Sequence, residues 1–248
     1  MSLLFSNLSN GVSCNSSASL ALSGTMTVLA WVKPFSAGAG PIGNFSRIFR
    51  LHNLSNSAAT AVEMYYNNTQ GGTANPCLGF QRSFVTTSMI RVASNGILLN
   101  SASHVAAVYL GGSNSTDVTL YLNGVEQTVY QSNTNGVGAK RNASGVFFVG
   151  NVNTLSRWHN GPIISFDAYA EALSPEKILL AANCRTFGVT QMLATNASNH
   201  VLSLRLDGVA DGVIASGSNT VLDYSPFSNY GTPFNSPTGY ADEVLSYP

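Results

Sequence analysis

The strongest signal along the chain is an alternation of period two. Over residues 25–33, Met26, Val28, Ala30 and Val32 fall on one side, and Thr27, Leu29, Trp31 and Lys33 on the other. Successive side chains of a strand point to opposite faces, so this stretch predicts a strand covered on most of both faces. Similar patterning predicts strands over 46–52, 61–66, 88–93, 104–110, 117–122, 125–130, 146–151, 162–168 and 201–206. Asn123-Gly124 separates two of them and tolerates positive φ at both central positions, as a two-residue hairpin requires. Many short strands joined by Gly, Asn and Ser turns predict an all-β fold. The expected form is a two-sheet antiparallel jelly-roll sandwich, with Trp31 and Tyr109 directed into the core.

One helical period interrupts the strands. In Ser174-Pro175-Glu176-Lys177-Ile178-Leu179-Leu180-Ala181-Ala182-Asn183, Ser174 suits the N-cap and Pro175 the first helical position. Glu176 favours the positive end of the dipole. A short helix over 175–183 is predicted. No linker divides the chain, so residues 1–248 read as one domain. After Val221 the texture changes, and prolines and aromatics alternate with turn residues. Residues 224–248 read as an extended C-terminal arm that packs through Phe227, Tyr230, Phe234, Tyr240 and Tyr247. Part of it is expected to add a strand and its end to contact a neighbouring subunit or particle surface. The alternative is that it wraps its own sandwich.

Three segments carry a resemblance to a known family. They are Ser19–Pro34 with the core Thr-Met-Thr-Val-Leu-Ala-Trp-Val-Lys-Pro, His104-Val-Ala-Ala-Val-Tyr109 followed by Leu120-Tyr-Leu-Asn-Gly-Val-Glu126, and Gly161–Ile178. In this order and spacing they resemble the laminin-G-like and pentraxin-like domains of the concanavalin A-like lectin and glucanase superfamily. The resemblance implies a lectin-type jelly roll. A weaker likeness, Leu206-Asp-Gly and then residues 223–232, is similar to a stretch usually found near the start of such domains, and it comes last here, as in a permuted version. Asn123 stands where the family often has Asp, and Ser165 where an acidic residue is common. Calcium needs several oxygen ligands, usually with carboxylates among them, so the resemblance does not extend to a calcium site.

Composition narrows the partners. Hydrophobic residues make up 44% of the 248, but charged residues only 9%, with formal net charge zero. Phosphate backbones are held by clustered Lys and Arg. Here only Lys140-Arg141 are adjacent, so nucleic acid is not an expected partner. A chain without net charge lacks long-range self-repulsion, so a homo-oligomer or a larger assembly is expected. Cys14, Cys77 and Cys184 show neither a disulfide framework nor metal-ligand spacing. The first residues lack a basic start and a long apolar stretch, so no signal peptide is expected, and no apolar run is long enough to insert in a membrane.

Catalytic chemistry in such a fold would rest on carboxylates. Glycoside hydrolases of the superfamily carry two or three on one strand, in an E-x-D-x-x-E pattern that alternation sets on one face. Glu63, Glu126, Asp167 and Glu171 stand apart, and Asp242-Glu243 lie in the tail. His52, His104, His159 and His200 are equally scattered. The expectation is therefore no enzyme, no cofactor and no metal. Two clusters remain as candidate ligand sites. One is Trp158, His159 and Asn160, where an exposed indole would stack on a sugar ring; the other is Tyr65, Tyr66 and Asn67 at a strand end. The competing readings are a Trp158 that fills the core edge and tyrosines that pack across strands. Two roles follow. The first is a structural component of a virus or phage particle surface, as a capsid decoration or a tail or fibre part, with other virion proteins as partners. The second is a free, extracellular carbohydrate-binding lectin. Cell-surface glycans are a partner in either.

Overall fold

The computed structural model describes residues 2–5, 10–36, 45–53, 56–67, 76–129, 134–151, 157–184, 193–206, 212, 214–217 and 221–240. They form two antiparallel sheets. The first runs β10 (Val125–Glu126), β9 (Val118–Leu122), β8 (Ser103–Tyr109), β3 (Met26–Val32) and β12 (Gly161–Tyr169). Beyond β12, β1 (Ser2–Phe5) and β13 (His200–Arg205) share its far edge, and β15 (Thr238–Tyr240) pairs with β1. The second sheet runs β14 (Gly231–Phe234), β2 (Gly11–Cys14), β11 (Phe147–Val149), β4 (Phe45–Asn53), β5 (Asn56–Asn67), β6 (Cys77–Arg82) and β7 (Met89–Gly96). The predicted hairpin turn joins β9 to β10, with φ of 51° at Asn123 and 79° at Gly124.

The inner faces meet in one apolar core. At its centre Phe49 of β4 stacks on Phe147 of β11 at 5.2 Å between ring centroids, and both meet Phe166 of the opposite sheet at 5.3 Å. Tyr109 lies in this core, as expected from sequence. Trp31 does not. Met26, Val28, Ala30 and Val32 occupy the inner face of β3, so alternation sends Trp31 to the outer face. There it is 8% exposed and lies beside the cross-strand His104, with ring centroids 5.5 Å apart. The helix α1 (Pro175–Asn183) forms where predicted. Ile178 and Ala181 of α1, with Leu173 and Leu193, cover Leu29, Ala106, Val108, Tyr121 and Tyr169 on that outer face. This cover reaches Leu29 of β3, a strand whose seven residues are all buried.

The C-terminal arm adds a strand to each sheet. β14 extends the second sheet and β15 the first. Phe234 packs edge-on against Phe148 at 6.0 Å, and Tyr240 against Phe35 at 5.8 Å with the Lys33 ammonium nearby. These two members of the expected assembly arm therefore pack on their own sandwich, because the arm's own ladder bonds carry them there. Phe227 and Tyr230 stay 40% and 38% exposed. Tyr247 lies outside the described residues. The edge of β7 is also covered, since bridges Phe84↔Lys140, Thr87↔Val137, Ile90↔Thr134 and Ala93↔Val129 lay a further chain segment along it. The fully buried Arg82 clamps this segment, donating from Nη1 to the Ala61 carbonyl at 2.8 Å and from Nη2 to that of Arg141 at 2.9 Å. Covered edges remove templates for strand addition by other chains.

Truncating a central ring leaves a cavity that the two sheets cannot close. Phe49→Ala is expected to cost about 3–5 kcal/mol in urea unfolding. Leu179→Ala, at an exposed helix position, should cost well under half as much.

Candidate functional site

The outer face of the seven-stranded sheet gathers most of the chemistry. Phe49, Leu51, Met64, Tyr66, Phe147 and Val149 point inward, so their neighbours point outward. Register aligns Thr232, Ser13, Phe148, Arg50, Glu63, Gln81 and Ile90 in one row across the sheet. Arg47 lies opposite Tyr65 in the neighbouring row, because a bulge between Arg47 and Phe49 returns Arg47 to the same face as Arg50. Arg47 and Glu63 form a bidentate pair. Nε donates to Oε2 at 2.7 Å and Nη2 to Oε1 at 2.9 Å, and both side chains are buried. The Arg47 guanidinium also lies over the Tyr65 ring, 5.0 Å from its centroid. Opposite Tyr65 stands Gly79, where a Cβ would fall 2.6 Å from the ring, so only glycine admits the tyrosine in this position.

Arg50 and Arg157 complete the cluster. Burial pushes the pKa of both guanidiniums down; the Glu63 carboxylate opposes that shift, and Arg47 adds to it. Tyr65 is pushed up, first by burial and then by Glu63. Arg50 is buried, whereas Arg157 and Trp158 are half-buried and form an accessible rim.

The rim is held from beneath by His159. The Arg47 N–H donates to the Arg157 carbonyl at 3.2 Å, and the His159 N–H to that of Gly150 at 2.7 Å. The imidazole itself is fully buried. Nε2 lies 3.3 Å from the Pro162 carbonyl and Nδ1 3.1 Å from the Tyr66 hydroxyl. A carbonyl only accepts, so the neutral ring carries its proton on Nε2, and Nδ1 accepts from Tyr66. Asn160 accepts at its carbonyl from the Phe35 N–H at 2.8 Å and donates through Nδ2 to Ser36 Oγ at 2.8 Å. Arg157, His159 and Asn160 are thus tied down on either side of Trp158, while Arg157 and Trp158 stay partly in solvent.

The two sequence clusters therefore come apart. Tyr66 and His159 meet in the interior as anchors and offer no surface to a ligand. Tyr65 lies on the opposite face from Tyr66, since adjacent strand residues alternate. Asn67 is buried at the end of β5. Trp158 and Asn160 are both half-buried. Arg47 and Arg50 are not among the residues expected from sequence, and Glu63, which stands apart from other carboxylates in the chain, meets Arg47 here; the available signal was the presence of charges inside apolar strands of a chain that has few. Among the described residues, no group of three His, Cys, Asp or Glu side chains converges as a metal would require, and no helix is long and apolar enough to cross a membrane.

The family model described as Concanavalin A-like lectin/glucanases superfamily, of the laminin G type, matches residues 6–179. The chain belongs to this superfamily. No curated protein sequence matches it. Among solved structures, it is similar to a native heptameric SAP-like pentraxin from Limulus polyphemus (18% identity, TM-score 0.52), over 72% of this chain and 77% of the pentraxin. It is similar to a candidate carbohydrate binding protein from Bacteroides ovatus (14% identity, TM-score 0.57), over 97% of this chain and 63% of the other. A third likeness is to the Ruminococcus gnavus IT-sialidase CBM40 bound to alpha2,3 sialyllactose (13% identity, TM-score 0.50), over 72% and 95% of the two chains. At these identities the likeness is one of fold.

Burial holds two histidines neutral, His159 and His104, each with its pKa pushed down to about 3. In the unfolded chain both titrate near 6.5. Between these values the unfolded chain binds protons that the folded chain does not, so stability falls as pH drops from about 6.5 towards 3 and is unaffected by these groups above that window. Urea unfolding at pH 7 and pH 4.5 should show a loss of at most about 1.4 kcal/mol per pH unit for each histidine. His104→Phe should flatten the slope, and an unchanged slope would show that His104 is not held neutral.

Proposed function

We propose that the chain is a non-catalytic glycan-binding module and that the Arg157-Trp158 rim above the seven-stranded sheet is its binding site. The observation that carries this reading is the presentation of Trp158. Trp158, an amphipathic residue, is partly exposed in a loop whose flanking groups are fastened to the sheet and the core. A ring ordered before binding loses little freedom on contact, and its apolar face suits the C–H face of a sugar. Guanidinium groups beside it supply directed donors for hydroxyl or acidic groups. The non-catalytic part is supported by how the carboxylates are engaged. Both oxygens of Glu63 meet Arg47, Asp167 pairs with His200 at 3.0 Å, and Glu171 accepts from the Thr195 N–H at 2.7 Å. Asp223 accepts from the backbone N–H groups of Ser203 and Ser225 at 2.8 and 2.9 Å. The sugar-binding relatives add support only at the level of fold.

A glycan array probed with the full chain is expected to give selective binding that Trp158→Ala reduces by about tenfold or more, the scale of one lost aromatic contact. Thermal unfolding should change less than on loss of a core ring, since Trp158 is not fully buried. Wild-type binding unchanged in the variant would place the site elsewhere. Release of sugar from any arrayed glycan would overturn the non-catalytic part.

A second reading places the module on the surface of a virus or phage particle. It is supported by Tyr224, Phe227 and Tyr230, which are 40%, 40% and 38% exposed along one short stretch of the arm, in a chain with only 9% charged residues. Exposed aromatics in sequence proximity are common at contacts between proteins. Phe227→Ser with Tyr230→Ser should lower the mass measured by light scattering if the arm joins subunits; a monomer before and after the change would remove this support.

A further inference from the structure

We propose that His159 is an acid-operated latch: neutral, it holds the 157–160 loop on the core, and on taking a second proton it lets the loop go. The latch concerns how the loop is supported, and it stands or falls independently of what the loop binds.

Both ring nitrogens are already committed. Nε2 donates to the Pro162 carbonyl at 3.3 Å, and Nδ1 accepts from the Tyr66 hydroxyl at 3.1 Å. The Ser46 side chain and the Asn160 backbone act on the same Tyr66 oxygen, and both favour negative charge there, as donors do. A second proton, on Nδ1, would turn a further donor towards this oxygen. It would also take from the Tyr66 proton the acceptor it has. The ring is fully buried, with Phe5 and Tyr66 close to perpendicular to it at 6.4 and 5.4 Å.

The titratable and charged groups of the surrounding elements face other partners. β1 and β11 carry none. Glu63 and Tyr65 of β5 engage Arg47 of β4 on the outer face, in one electrostatic cluster with Arg50 and Arg157. His52 of β4 meets Phe148. Asp167 and Tyr169 of β12 engage His200, and the Lys33 ammonium, just past β3, lies by the Tyr240 ring. The His159 ring itself feels burial, which holds it neutral, and the opposing Pro162 carbonyl. A charge formed where no partner awaits it is relieved by moving the group into water. The loop is the part that can move. Arg157, Trp158 and Asn160 are half-buried, whereas β1, β5 and β12 around the ring are paired within the two sheets. In the released loop the imidazole titrates near its ordinary value of about 6.5. Below that pH the released form binds a proton that the latched form excludes, so release gains about tenfold per pH unit; above it His159 has no effect.

Amide hydrogen exchange on the unmodified chain reads the latch through three N–H groups. Arg47 donates to the Arg157 carbonyl, His159 to that of Gly150 and Phe35 to that of Asn160. Their protection factors, corrected for the intrinsic pH dependence of exchange, are expected to fall by up to about a hundredfold from pH 7 to pH 4.5. Amides of β3 and β8 at the centre of the first sheet should stay at least about tenfold better protected. Nitrogen NMR of the His159 ring at pH 7 should show the proton on Nε2 and none on Nδ1. His159→Gln, which cannot take the second proton, should hold the protection of Arg47 and Phe35 level across the range. Tyr66→Phe, which removes the hydroxyl from Nδ1, should lower it already at pH 7. Equal loop protection at the two pH values would overturn the latch. So would one shared protection factor for loop and sheet centre, which means unfolding of the whole domain, and so would a proton on Nδ1 at pH 7. These three readings use the unmodified chain, so they decide the question even if a variant folds poorly.

Discussion

The rest of the structure depends on the ring contact between the sheets. Phe49 and Phe147 of one sheet close on Phe166 of the other. Because strand side chains alternate, committing these rings to the interior commits their neighbours to the outside. Phe148 and Arg50 leave the core for the same reason that Phe147 and Phe49 enter it. Met64 and Tyr66 turn inward, and Glu63 and Tyr65 must then turn outward. The core thus sets the composition of the candidate binding face, and a slip of one residue in β4 or β5 would exchange the two.

Charge is scarce in this chain, and where it is buried it is organised. The Arg47–Glu63 pair is shielded from solvent, so its desolvation must be offset by near-ideal geometry. The two short bonds and the Tyr65 ring beneath the guanidinium supply it. A buried pair of this kind is weak evidence for added stability. Its consequence here is positional, since it fixes Tyr65 and Arg47 relative to the Arg157 loop. Arg82 is held by two backbone carbonyls and fixes the edge segment on β7.

The loop at 157–160 joins the two themes. His159 sits neutral in the interior, with the proton position set by a carbonyl on one side and a tyrosine hydroxyl on the other. Its role is support. The residues before it gain a defined position at the solvent boundary because the residue itself is fully engaged. A rigid support under a partly exposed aromatic is what preorganised recognition requires.

Much of the fold was legible in the chain. Period two in 25–33 gave β3 and its two-sided burial, Asn123-Gly124 gave the hairpin, and Ser174-Pro175-Glu176 gave the start of α1. Those signals are local, written within a few residues of where they act. The short strands β1, β2 and β6 escaped because four to six residues carry too little pattern to stand out. The direction of Trp31 is set by the alternation, which places it with Leu29 on the outer face, where burial beside His104 rather than in the core covers it. Tyr65-Tyr66 looked like one site, and alternation divides it between the core and the outside. What the chain could not disclose is the meeting of Arg47 and Arg50 with Glu63 and Arg157. That meeting needs a bulge, a register between strands and a loop returning from more than ninety residues away, all of them outcomes of packing. The sequence by itself determined which segments are strands and which side of each is apolar, because period and turn chemistry are local properties. Only the tertiary structure decided which polar side chains share a face, because that is set by pairing between segments remote in the chain.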